Sequence, residues 1–276
     1  MSNNTGIANE KPRISVLMGI YNCADTLGEA IDSLLNQTYK GFKLILCDDA
    51  STDDTYLVAK SYADRYDNII LIQNKTNLKL AATLNHCLQY ADTEYIARMD
   101  GDDISLPSRF EKQLNFLDQH PEFALVSTPM IYFDESGDWG EGTAKKEPTK
   151  NDFKIGTPHA HAPAMIRTSV IKKVEGYTVN KYLVRGQDYY LWYKIYKTGY
   201  RGYNLQEPLY KMRDDKNAMS RRTFKVRYYG FIIKREVMRD LGISSSFWYA
   251  LPNLLKALIP SYLMSVIRKI KLNKRG

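Results

Sequence analysis

A chain of 276 residues, 44% apolar and 25% charged, is long enough for one large domain with an appendage and has an ordinary globular composition, so a sizeable core is expected. Its net charge of +8 suggests a polyanion partner, but residues 211–276 carry 16 Lys/Arg against 4 Asp/Glu. Residues 1–210 hold the other 23 Lys/Arg and 27 Asp/Glu, a net −4, which argues against a nucleic-acid-binding core.

The cysteines Cys23, Cys47 and Cys87 form no C-x-x-C pair, so a disulfide scaffold or zinc knuckle is not expected and a reducing cytoplasm fits. The polar start "MSNNTGIANEKPR" has no apolar secretory h-region, and residues 1–12 read as a flexible terminus. Four short, β-rich apolar runs follow: Ile14–Ile20, Phe42–Cys47, Asn68–Gln73 and Glu94–Met99. Such runs suit strands buried on both faces. Helical patterns separate them. Leu27, Ile31, Leu34 and Leu35 share one face behind a Thr26/Glu29 capping box, and Ser51/Asp54 open a second helix. A third helix covers about 81–90, and Pro107 begins a fourth with Phe110, Leu114 and Leu117 on one side. Strand and helix alternating four times predicts a mostly parallel α/β sheet flanked by helices.

Beyond "FALVSTPMIYFD" the pattern is irregular. Residues 135–152 read as a polar, Gly-rich loop, and "DYYLWYKIYKTG" as a helix closed by Gly199. Residues 216–276 read as a basic, helical C-terminal extension. Within it, Phe247–Ile267 is long enough to span a bilayer, but Pro252, Lys256 and Pro260 interrupt it. An interfacial segment on an anionic membrane fits the aromatic residues and basic flank best. A helix pair packed on the domain and a dimer contact stay open.

In an open parallel sheet, ligands bind outside the carboxyl ends of the strands. The loops there read "YNCADT", "DDASTDDT", "NKTNLK" and "DGDD". None is a G-x-G-x-x-G or a P-loop, so dinucleotide and nucleoside-triphosphate folds lose their main support. Crowded carboxylates raise one another's pKa unless a cation neutralises them. Asp100 and Asp102 therefore suit a hard divalent ion, Mg2+ or Mn2+, although "DGDD" is equally a common turn composition.

Several blocks in order resemble the family 2 glycosyltransferases of the GT-A fold: "ISVLMGIYNCADTLGEAIDSLLNQTYKGFKLILCDDASTDDT", "NLKLAATLN", "YIARMDGDDISLPSRFEKQL", "HAHAPAMIRTSVIKKVEGY" and "RGQDYYLWYKI". The resemblance covers roughly residues 12–215. It implies a Rossmann-like GT-A catalytic domain at 13–215, with a nucleotide-binding half to about residue 105 and an acceptor half after it. It implies that Tyr21 packs on the nucleotide base and Asp49 bonds the uracil ring, while Asp48 could point into the rim. Asp100 and Asp102 would hold the metal, Mn2+ or Mg2+, and the donor beside it. Asp188 would be the catalytic base of an inverting, metal-dependent transfer, with an N-cap as its innocent reading. Asp103 would support the acids or cap the next helix, His161 would border the site, and Arg213 would meet the diphosphate or form a loop salt bridge.

The sequence departs from the family at four places. Gly19 replaces a frequent proline, Lys79, itself a supporting site candidate, a frequent glycine, and Gln187 an acid before the base, while "HAPAM" alters a His-Pro start. The Q-x-x-R-W motif of processive synthases is missing, which implies transfer of one sugar per encounter. The implied donor is a UDP-sugar. The implied acceptor is a lipid-linked saccharide of surface-polysaccharide assembly at the inner face of the cell membrane. A nucleotidyltransferase or an idle sugar-nucleotide-binding protein are the alternatives.

Overall fold

Alternate burial along the strands builds the centre of the computed structural model, which describes residues 11–214 and 223–255. In β1 (Ile14–Ile20), Ile14, Val16, Met18 and Ile20 enter one core and Leu17 the other. β2 (Phe42–Asp48) and β4 (Tyr95–Arg98) divide their residues in the same way, as the period of two requires. Helices α1 (Ala24–Leu35), α2 (Thr55–Ala63) and α4 (Arg109–Gln119) cover the first face. Helices α3 (Leu80–Gln89), α5 (Thr168–Lys173), α6 (Gln187–Lys197) and α7 (Phe224–Asp240) cover the second. α3 lies so close that a Cβ on Gly19 would stand 3.1 Å from Thr83 Cγ2 and 3.3 Å from Leu80 Cδ1.

The main sheet has seven strands in the order β10-β6-β9-β4-β1-β2-β3. Besides β1, β2 and β4 these are β3 (Ile69–Gln73), β6 (Phe123–Ser127), β9 (Met165–Arg167) and β10 (Arg201–Asn204). All pairings are parallel except those of β9, which runs antiparallel to β4 and β6. A second sheet, in the order β5-β11-β7-β8, joins β5 (Ile104–Ser105), β11 (Tyr210–Arg213), β7 (Ile131–Asp134) and β8 (Gly137–Glu141). The expected α/β class and the four strand positions match this sheet.

The helix starts do not match, because the polar residues that resemble caps serve distant partners. α1 begins after Cys23 with no side-chain cap. Thr26 Oγ1 instead donates to the Gly101 carbonyl at 3.0 Å, and Glu29 pairs with Arg213. Asp54 precedes α2 without capping it. α4 begins after Ser108, so Pro107 does not open it, and Asp103 does not cap it. Asp103 instead accepts the Arg213 backbone N–H at 2.8 Å, tying the acid loop to β11. The stretch 135–152 is not all loop, since β8 folds back on β7.

At the C-terminal side, α7 buries Ile233 and Val237 in the core that holds Leu191 and Trp192. This part of the extension therefore packs on the second face of the sheet, against the core that α6 joins. α8 (Ser246–Leu255) contains Pro252 and exposes Phe247 and Trp248. The remainder of the interfacial segment, from residue 256, lies outside the described residues, as do residues 1–10. Among the described residues no helix is long and apolar enough to cross a membrane.

Candidate active site

The carboxyl ends of β1 to β4 bring four loops to one rim. After β1, Tyr21 is 46% exposed, and Asn22 (φ +47°) accepts the Thr52 N–H at 2.9 Å, joining the first two loops. After β2, Asp48 and Asp49 are buried but serve different partners. Asp48 accepts the Gln73 amide at 2.9 Å through one oxygen, while its Oδ1 is buried without a hydrogen bond. Asp49 accepts the Leu78 N–H at 2.8 Å, the Lys79 N–H at 2.9 Å and the Asn74 side-chain amide at 2.8 Å. Its carboxylate thereby shapes the loop after β3, where Lys79 sits at φ +72° with an exposed side chain. A positive φ is one that glycine adopts more readily than lysine.

The loop after β4 collects Asp100, Asp102 and Asp103, which offer ligand oxygens all within 4.8 Å of one another. Burial raises the Asp102 carboxyl to about 6, with repulsion from Asp100 adding to it. The same two causes, and Asp102 itself, hold Asp103 well above the usual carboxylate range. Asp100 differs because the Arg98 guanidinium grips both its oxygens, at 2.5 Å through Nη1. Burial opposes the charge on Arg98, but Asp100 outweighs it and the guanidinium is held more firmly protonated than usual. The Tyr210 hydroxyl accepts the Asp100 N–H at 3.2 Å. A hard cation fits this set: three crowded carboxylates, two of them pushed toward protonation, are short of positive charge. Asp102 and Asp100 could hold it, with Asp103 already engaged by β11.

Sequence reasoning missed Arg98 and Tyr210. The available signal for Arg98 was its place: a charge in the buried run "EYIARM", two residues before the acids. Buried arginines are almost always paired. Tyr210 had no local signal, since β11 reaches the acids only through the second sheet.

A cavity of about 510 Å3 brings six of the nine sequence-chosen residues together: Asp100, Asp102, Asp103, His161, Asp188 and Arg213. Tyr21, Asp49 and Lys79 do not line it and lie on the adjoining β1–β3 rim. Asp188 is in the first turn of α6, behind Gly186, so the N-cap is Gly186. His161 bonds the Tyr177 hydroxyl through Nε2 at 2.8 Å and packs edge-on against Trp192. Burial, and Arg98 nearby, hold its pKa well below the usual value, so the ring is neutral. Arg213 donates through Nε to the Asp102 carbonyl at 2.9 Å and pairs with Glu29, which makes it a brace across the acid loop.

Residues 15–175 match the family described as Glycosyl transferase family 2. The chain belongs to this family. As a family 2 glycosyltransferase it is 45% identical over 263 residues to "Putative glycosyltransferase EpsE" of Bacillus subtilis, covering 95% of both chains. It is 32% identical over 224 residues to an Escherichia coli protein named "UDP-Gal:alpha-D-GlcNAc-diphosphoundecaprenol beta-1,3-galactosyltransferase", covering 78% of this chain and 79% of that one. Two solved structures share its fold, at 18–20% identity. TarS 1-349 of S. aureus in complex with UDP-GlcNAc superposes at TM-score 0.66, covering 89% of this chain and 71% of the other. Mannosyltransferase PcManGT from Pyrobaculum calidifontis, in complex with GDP-Man and Mn2+, superposes at 0.64, covering 94% and 80%. The fold of this glycosyltransferase is thus GT-A.

Proposed function

We propose that this glycosyltransferase moves one sugar from a UDP-sugar, with inversion, to a hydroxyl of a lipid-linked saccharide in cell-surface polysaccharide synthesis. The observation that carries the reading is that Asp188 lines the same cavity as the acid loop. A base and a diphosphate-holding cluster facing one space is what a single displacement needs. Asp188 accepts the proton of the acceptor hydroxyl as that oxygen forms its bond to the anomeric carbon. The bond from that carbon to the diphosphate breaks on the opposite face and its electron pair leaves with UDP. An α-linked donor then gives a β-linked product.

Asp100 and Asp102 are the residues assigned to a divalent cation, Mn2+ or Mg2+, which when bound supplies neutralising charge to the departing diphosphate. Arg98 keeps Asp100 aimed. Asp49 would meet the uracil ring and Tyr21 would pack on it, since both stand on the neighbouring rim. The choice of UDP follows the two relatives whose names carry it, and PcManGT with GDP-Man marks the competing base. The lipid-linked acceptor follows the diphosphoundecaprenol relative. Its delivery at the inner face of the cell membrane agrees with exposed Phe247 and Trp248 on α8.

The test is nucleotide release from a panel of UDP-sugars and GDP-mannose, each with Mn2+, Mg2+ or a chelator. UDP release that depends on the cation is expected. Release only from GDP-mannose would replace the donor, and release undiminished by the chelator would remove the metal.

A further inference from the structure

A second cavity, of about 520 Å3, has Asp188 in its lining but none of the acid loop. Its floor is Ile155–Thr157, one wall is residues 181–189, and the other is the inward side of α7, with Asn253 of α8 at the edge. It shares Thr157, Arg185 and Asp188 with the acid-lined cavity, so the two spaces meet at the assigned base. Its size is that of an ordinary small-ligand site.

The charge reverses across that shared wall. Lys181, Arg185, Lys225 and Lys234 line the second cavity, and among the described residues Asp188 is the sole carboxylate in its lining. Lys234 is buried at 8% exposure, with its ammonium 3.5 Å from the Ile155 carbonyl. Lys181 stands over the Tyr182 ring at 5.2 Å and Lys225 over Tyr229 at 5.8 Å. Those two rings meet edge-on at 4.8 Å, so the cations rest on an aromatic wall. Lys181 and Lys225 are exposed and Lys234 is buried, so four cations of different burial face one space with one carboxylate. A lining of that balance gives the space a positive potential that an anionic group complements and a neutral saccharide does not.

We propose that this cavity is the acceptor site and that it recognises an acceptor bearing its own phosphate or diphosphate beside the sugar. Lys181, Lys225 and Lys234 hold the phosphate oxygens. The tyrosine wall lies along the apolar face of the sugar, and the reacting hydroxyl reaches Asp188. The proposal rests on the reading of Asp188 as the base. It adds the recognition of a phosphate group and the residues of α7 that perform it. Two sources supply that chemistry: a prenyl diphosphate that carries the sugar, and a polyol phosphate chain.

The test is direct binding to the full chain without donor, which does not depend on turnover. The probes are N-acetylglucosamine diphosphate on a short prenyl chain, a glycerol phosphate oligomer, and phenyl N-acetylglucosaminide as the neutral control. At least one phosphate-bearing probe should bind tenfold or more tighter than the phenyl glycoside, and the tighter of the two identifies the source. The double variant Lys181→Gln/Lys225→Gln should weaken that binding at least tenfold, and Lys234→Met should do so separately. UDP affinity of each variant, read by calorimetry, checks that it is folded. Equal affinities for charged and neutral probes, or variants that keep the preference while binding UDP, would overturn the proposal. A wild-type chain that binds the phosphate-bearing probe but never transfers to it would instead count against Asp188 and the reaction, leaving this site standing.

Discussion

The two cavities that meet at Asp188 have nearly the same volume, about 510 and 520 Å3, and opposite charge. The acid-lined one is built from tight loops at the ends of buried strands, so its carboxylates are fixed by the core. The lysine-lined one is closed by α7, a helix whose apolar side joins the core and whose opposite turns stay accessible. With the donor on the acid-lined side and the acceptor on the lysine-lined side, as proposed, donor binding would depend on the sheet and acceptor binding on a helix docked upon it.

The comparison breaks most sharply at the shared wall. Asp188→Asn should preserve the shape of both cavities and remove the proposed base. Turnover should fall about a thousandfold, while UDP binding and acceptor binding stay nearly as they were. Loss of UDP binding as well would move Asp188 to the donor side. Next in size is Asp102→Ala, which strips the acid side of its less encumbered carboxylate. Cation-dependent UDP binding should weaken by about a hundredfold or more in calorimetry, with acceptor-probe binding unaffected. Intact cation dependence would pass the metal to other residues.

A smaller effect separates the two sides by pH. The Asp102 carboxyl is raised from 3.8 to about 6, mainly by burial. Between those values the folded, cation-free chain binds more protons than the unfolded chain, so its stability falls as pH rises. The two-unit shift corresponds to at most about 3 kcal/mol, lost by pH 7. Thermal melts of the cation-free chain from pH 4 to 7 should show this decline, and Mn2+ should reduce it. Asp102→Ala should flatten most of it. A decline of the same size in that variant would assign the effect to other groups, Asp103 first among them.

The strands and the acid loop were legible because parallel strands covered on both faces leave continuous apolar runs that end abruptly at the rim. The division of labour among Asp100, Asp102 and Asp103 was only partly legible. Asp103 resembles a helix cap in the sequence, and only the Arg213 N–H on β11, 110 residues away, turns it toward the second sheet. Thr26 and Glu29 misled in the same way, since a capping box and a pair of tertiary contacts use identical side chains. The lysine-lined cavity was not legible at all. Lys181, Lys225 and Lys234 are scattered over more than fifty positions, and only the docking of α7 makes them neighbours.

The smallest expected effect concerns Lys79, a supporting candidate whose backbone is strained. Its φ of +72° with ψ of 160° belongs to a region that side chains disfavour by about 1 kcal/mol or more. Yet what the position contributes to the rim is its N–H, which donates to Asp49 at 2.9 Å, and glycine keeps that N–H. Glycine also frees the unfolded chain, which offsets roughly 0.5–1 kcal/mol of the relief. Lys79→Gly should therefore raise the melting temperature by no more than about 2–4 °C. UDP affinity should stay within about twofold, less than half a kcal/mol. A tenfold loss of affinity at unchanged or higher stability would show that the ammonium reaches the diphosphate. The adjoining rim would then add a cation to Arg98, Arg185 and Arg213 of the acid-lined cavity, and the charge contrast between the two sides would narrow.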